Sequence, residues 1–186
     1  MKAKRFVLCL CMAALLGGIC FISCGNTSKA KTESVPTDQA VDDDFKAFLE
    51  KFTSSAAFQY SRIKFPLKTP VTLLEDDGET EKTFPFTKEK WPLLDGETLK
   101  EERIIQEEGG VYVSKFTVNE PNHKEFEAGY EESELDLRVV FELINGQWFV
   151  TDCYTGWYGG DLPISELKET ISQVQEENKD FKETYP

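Results

Sequence analysis

Hydrophobic and polar positions change their spacing several times along the chain, and each change marks an element. Phe45, Phe48, Leu49 and Phe52 recur at helical spacing behind Asp42, Asp43 and Asp44, three carboxylates suited to the positive end of a helix as cap and counter-charge. From residue 58 to 67 the period falls to two. Tyr60, Arg62 and Lys64 alternate with Ser61, Ile63 and Phe65, which predicts a strand that Pro66 and Pro70 confine to an edge or interrupt. A short strand at 71–74, a turn at Asp76-Asp77-Gly78 and an extended piece to Phe86 predict a hairpin. Residues 87–94 read as a short helix ended by Pro92 and Gly96.

Further on, residues 99–107, the pair Gly109-Gly110 and residues 111–119 read as a second hairpin, with Tyr112, Phe116 and Val118 on one face. The third is the clearest. Leu135, Leu137, Val139, Phe141 and Leu143 alternate with Asp136, Arg138 and Glu142, and Asn145-Gly146 turns the chain into residues 147–158. Between these hairpins, residues 120–133 are charged and read as a loop. The closing strand is apolar on both faces, Trp148, Val150, Tyr154 and Tyr158 alternating with Phe149, Cys153 and Trp157, so it needs a cover on each side. The first helix is one cover. The other is a C-terminal helix whose stripe is Ile164, Leu167, Ile171 and Val174, entered through Asp161-Leu162-Pro163. Helices packed on a curved sheet closed by four antiparallel strands make an α+β fold.

The first forty residues follow another pattern. Lys2, Lys4 and Arg5 precede an uncharged run from Phe6 to Ile22, the charged and apolar regions of a secretory leader. Gly17, Gly18 and the absence of a charged stop behind the run favour a leader over a membrane anchor. The segment Phe21-Ile22-Ser23-Cys24 resembles the lipobox at which bacterial lipoproteins are acylated on cysteine and cleaved before it, with Phe21 where leucine is usual. That resemblance implies lipidation of Cys24, attachment to a membrane by several acyl chains, and residence in the cell envelope; the acidic run Asp42-Asp43-Asp44 stands too far behind Cys24 to resemble a surface-export signal, so the outer membrane facing the periplasm is the expected site. Residues 1–23 are thus the leader, 24–40 a polar lipidated tether, and 41–186 one domain.

Composition narrows the partners. The chain carries 21 Lys and Arg against 34 Asp and Glu, a net charge of -13 that becomes -16 once Lys2, Lys4 and Arg5 leave with the leader. Nucleic acid is not an expected partner of so acidic a chain, because phosphate binding rests on clustered cations. Of the five cysteines, Cys9, Cys11 and Cys20 lie in the leader and Cys24 takes the lipid. Cys153 is then alone in the domain, expected as a buried small hydrophobe.

The order of elements resembles the cone-shaped cystatin-like superfamily that includes nuclear transport factor two and ketosteroid isomerase. More narrowly, Phe45-x-x-Phe48, Phe58-Gln59-x-Ser61-Arg62-Ile63 and the closing Trp148, Tyr154, Gly156 and Trp157 resemble a family of gut-anaerobe, Bacteroides-type lipoproteins of that superfamily. The resemblance covers most of residues 42–160 and carries no activity with it. It implies a concavity between sheet and helices, for which Arg62, Phe116, Trp148, Asp152, Tyr154 and Trp157 are the candidate lining residues.

Asp152 shares strand parity with Trp148, Val150 and Tyr154, and a carboxylate among apolar groups can serve as a base; Asp152 and Tyr154 are therefore the catalytic candidates for an isomerase-like or hydrolase-like reading. The alternative for Asp152 is a structural pair with Arg62 or Arg138, or exposure. Other chemistry is thin. His123 is the single histidine, Asp76-Asp77-Gly78-Glu79 lacks calcium-loop spacing, and no glycine-rich phosphate loop is present. No metal and no cofactor is expected. The balance favours a non-catalytic domain that binds a small ligand or an envelope protein.

Overall fold

The computed structural model describes residues 38–75, 77–106, 110–159 and 162–185. The leader, Cys24 and most of the tether lie outside the described residues, as do Asp76, Gly109, Gly160 and Asp161. The chain opens with α1 (Asp38–Phe52) and α2 (Ala56–Ser61), followed by a two-stranded hairpin of β1 (Val71–Leu74) and β2 (Glu81–Phe84). Then come β3 (Glu102–Gln106), β4 (Gly110–Glu120), β5 (His123–Tyr130), β6 (Leu135–Ile144) and β7 (Gln147–Thr155), and finally α3 (Leu167–Thr184). Strands β3 to β7 form one antiparallel sheet in sequence order. The α+β class and the helix-on-sheet plan are those expected from the hydrophobic pattern.

The core forms where α1 lies on the inner face of that sheet. Phe45 meets Trp148 at 4.8 Å and Phe141 at 5.4 Å between ring centroids, mostly edge to face. Phe48 and Phe52 also pack on Phe141. Such ring pairs contribute ~0.5–1.5 kcal/mol each beyond the area they bury. Helix α1 begins at Asp38, three residues inside the segment read as tether.

Four sequence expectations change. Residues 58–61 are helical: Ser55 caps α2 by accepting from the Phe58 N–H, and Ala56 and Ala57 are strong helix formers. Only the second half of the expected strand is extended, bonding the edge of β7 through Lys64 N–H to Val150 O and Val150 N–H to Arg62 O. Second, the helix expected at 87–94 shrinks to one 3₁₀ turn, Lys88–Lys90; Pro92 disfavours the α conformation at Trp91. Third, the charged loop expected at 120–133 is mostly strand β5, which makes the sheet five-stranded. Its inner face carries Lys124, Phe126 and Ala128, and its outer face His123, Glu125 and Glu127. Fourth, α3 packs on the turns at Lys88–Lys90 and Gly156–Tyr158; the outer side of β7 is approached by Lys64 and Thr69.

Bulges then reset side-chain parity, since one inserted residue flips everything beyond it. Phe116 faces Phe126 but Val118 faces Glu125, so Val118 leaves the face it was expected to share with Tyr112 and Phe116. Along β7, Phe141 pairs with Val150 and Val140 with Asp152; Thr151 is the extra residue. Asn145 and Gly146 both have positive φ, 51° and 75°, as the expected tight hairpin turn requires.

Candidate functional site

A concavity of about 700 Å3 opens at one end of the inner sheet face. Tyr112 and Ser114 of β4, Ala128 of β5, Leu137 of β6 and Thr155 of β7 form its floor, and Trp157 stands at its side. The opposite wall is the segment Pro92, Leu93 and Leu94, which has no secondary structure of its own. Two buried amides hold it. Gln59 accepts from Trp91 Nε1 and Leu94 N and donates to Phe52 O and Leu94 O, at 2.8–2.9 Å. Asn178 of α3 accepts from Leu93 N at 2.7 Å and donates to Trp91 O at 2.8 Å. The wall is thus fixed by side chains from both ends of the domain.

Around this floor sit Glu97, Glu102, Asp136 and Glu177, and no Lys or Arg lines the concavity. Glu97 meets Lys100 at 3.2 Å on the surface. Asp136 reaches the opening through a bulge: Ala128 pairs with Leu137 and Gly129 with Leu135, so Asp136 is the inserted residue. Burial, and then the negative charge of Asp136 and the neighbouring Tyr130, raise the Tyr112 phenol above its ordinary value. Tyr112 is therefore a hydrogen-bond donor at neutral pH, and the site combines donors, aromatic faces and negative charge.

Asp152 lies elsewhere. The bulge at Thr151 turns it to the outer face, away from Trp148 and Val150, which correct the parity expected for it. Residue 152 is 8% exposed, and its carboxylate accepts from Thr69 N at 2.9 Å, Thr69 Oγ1 at 2.8 Å and Arg138 Nη2 at 3.0 Å. Glu125 joins the cluster, 2.7 Å from His123 Nε2 and 4.0 Å from Arg138. Each member has a partner. Of the two arginines considered for Asp152, Arg138 is the one engaged.

Tyr154 also faces outward, opposite Arg138, and lines a smaller cavity of about 220 Å3 with Val71, Phe86, Cys153, Tyr158 and Gly159. Its hydroxyl lies 2.2 Å from where a Cβ on Gly159 would sit, so the glycine is needed for that approach. Burial, with Glu134 and Asp136, raises the Tyr154 phenol; burial pushes the Cys153 thiol and the Tyr158 phenol up as well. These groups stay protonated at neutral pH, which suits donors and packing rather than bases or nucleophiles.

The remaining candidates are dispersed. Phe116 packs on Phe45 and Phe126, and Trp148 is buried in the same core. Arg62 lies on the surface, donating to Gln147 Oε1 at 2.7 Å. Of the six proposed lining residues, Trp157 alone borders the large concavity; the others do not converge on it. Sequence reasoning missed Lys124, placed in a charged loop but 1% exposed. Its ammonium meets Asp42 at 2.6 Å and also bonds Asn119, pinning the start of α1 to β5. Among the described residues no three His, Cys, Asp or Glu side chains gather as a metal-ligand set, and no helix is long and apolar enough to cross a membrane.

A cone of antiparallel sheet around an N-terminal helix, with its concavity at one end, is the architecture of cystatin-like proteins. A protein-family model matches residues 43–182, and the chain belongs to this Bacteroides family of cystatin-like proteins. Solved relatives sit close to it. A cystatin-like protein from Bacteroides caccae, solved by crystallography, is 79% identical over 76% of this chain and 95% of its own, with a TM-score of 0.75. Proteins from Bacteroides uniformis and Bacteroides ovatus, solved by NMR, are 73% and 78% identical, with TM-scores of 0.73 and 0.72. They cover 77% of this chain, and 97% and 93% of theirs. No curated protein matches.

Proposed function

We propose that this chain is a lipid-tethered domain of the cell envelope that binds a small ligand in the concavity at the end of its cone. One observation carries the binding reading: an opening of about 700 Å3 whose floor mixes Tyr112, Ala128 and Leu137 with the hydroxyls of Ser114 and Thr155, with four carboxylates and no cation in its lining. Small-molecule sites occupy about 300–1,000 Å3 and pair an apolar surface with a few placed polar groups. The carboxylates select against an anionic ligand, so the ligand is neutral or positively charged, with an apolar body that meets Leu94, Leu137 and Trp157. The tether reading rests on the leader pattern and on Ser23-Cys24; several acyl chains would keep the domain beside the membrane without any membrane-active surface.

Both halves are testable. Mass spectrometry of the natively produced chain should give a mature end at Cys24 carrying acyl mass; an intact leader, or an end without lipid, sinks the tether. Calorimetry with a phenylalkylamine, its neutral alcohol and its carboxylate counterpart should give saturable binding in that order of affinity. Trp157→Ala should weaken the amine on the order of tenfold, the scale of ~1.4 kcal/mol. Tightest binding by the carboxylate, or no saturation by any of the three, contradicts the site.

A further inference from the structure

A second surface, on the opposite sign of charge, lies around α2. Lys51, Arg62 and Lys64 converge on the rings of Phe58 and Phe149. Lys51 Nζ is 4.7 Å and Arg62 Cζ 5.1 Å from the Phe58 centroid, while Arg62 Cζ and Lys64 Nζ are 5.4 Å and 3.7 Å from that of Phe149. The backbone of Arg62 and Lys64 is fixed. Lys64 N–H donates to Val150 O, Val150 N–H donates to Arg62 O, and Ile63 between them is buried, so the Arg62 and Lys64 side chains project together to the outside. Acids outnumber bases 34 to 21 in this chain, and yet none of the three cations is in an ion pair among the described residues. The carboxylate closest by sheet register, Glu142 opposite Phe149, is taken by Lys68 at 2.5 Å.

We infer that this ledge of three cations over two phenyl rings binds a chain-like anionic polysaccharide bearing sulfate or carboxylate groups. A flat anionic membrane would bring the rest of an acidic domain into its own repulsive field, whereas a slender polyanion touches the ledge alone, and charges more than about a Debye length of 8–10 Å from it are largely screened. An acidic peptide would gain affinity by adding a strand, but the ladder groups here, Lys64 N–H and Arg62 O, are already bonded to Val150. Single-stranded nucleic acid needs open aromatic faces for its bases, and these rings are capped by their own cations. Regularly spaced oxyanions on a backbone with no other demand are what the ledge matches.

Dextran sulfate, titrated into the natively produced full chain, is the direct probe. Binding should weaken with salt, the magnitude of the log–log slope falling by roughly 2 when Lys51, Arg62 and Lys64 are all changed to Gln, by analogy with about 0.7–0.9 counterions per phosphate. The triple variant should lose at least tenfold in affinity, Lys115→Gln on the distant strand β4 should lose none, and Arg62→Lys should retain most of it. Equal binding by the triple variant, or an equal loss in Lys115→Gln, overturns the ledge. Tighter binding to anionic vesicles, poly-glutamate or an oligonucleotide than to dextran sulfate overturns the partner. Because all three side chains are at the surface, an unchanged unfolding midpoint in the triple variant separates lost binding from lost fold.

Discussion

Two bulges in neighbouring strands place two aspartates in opposite circumstances. The bulge at Thr151 sends Asp152 to the outer face, where Thr69 and Arg138 occupy its oxygens. The bulge at Asp136 turns that residue into the mouth of the inner concavity, where no cation lines the wall. Both carboxylates lie on the paired strands β6 and β7, yet the buried one is satisfied and the exposed one is free to meet a ligand. Burial alone is therefore a poor guide to a site. A buried charge that is fully hydrogen-bonded holds structure, whereas an exposed carboxylate such as Asp136 at the mouth of an open concavity is where a ligand adds something.

The largest effect expected is on the wall that faces the floor of the concavity. Gln59→Leu strips partners from Trp91 Nε1, Leu94 N and two carbonyls, and should cost roughly 3–4 kcal/mol in urea unfolding, at ~1–3 kcal/mol for each buried group left unmet. A loss below about 1 kcal/mol would mean the wall is held by packing instead. Next comes Asp152→Asn, which should cost about 1–3 kcal/mol and leave amine binding unchanged; a binding defect at full stability would move the site to the outer face. Asp136→Asn is the converse, with stability within about 0.5 kcal/mol of the parent and weaker binding of the amine but not of the alcohol.

The subtlest test uses Cys153 as a reporter. Burial raises its thiol above the ordinary value of 9.0, so the neutral form is favoured by the fold. That contribution is complete below pH 9 and is lost as pH rises above it. Alkylation at pH 8 should be slow in the parent, faster in Asp152→Asn and unchanged in Asp136→Asn. Equal acceleration in both variants would dissolve the contrast between the two regions.

Much of this architecture is legible in the hydrophobic pattern because long elements repeat it often enough. Helix α1 shows its stripe in Phe45, Phe48 and Phe52, and β6 and β7 show theirs around Asn145-Gly146. Short or charged elements do not. Helix α2 is six residues long and sits inside an apparent alternation, and β5 hides behind Lys124, whose ammonium is buried only because Asp42 and Asn119 reach it from elsewhere in the chain. Bulges are illegible for a different reason: one inserted residue reverses parity without altering composition, which moved Asp152 out and Asp136 in. The concavity was anticipated through the family resemblance, but its lining was not. Trp157 was named, whereas Leu93 and Leu94 have no periodicity and depend on amides from Gln59 and Asn178.

The central claim is that ligand binding belongs to the inner concavity and the Asp152 cluster to the framework. Backbone and indole NMR shifts followed during titration with the phenylalkylamine test it most directly. Saturable perturbations should gather at Tyr112, Ala128, Leu137 and the Trp157 indole, with Thr69, Arg138 and Asp152 unmoved. Perturbations centred on Thr69, Asp152 and Tyr154, with Trp157 silent, would contradict it.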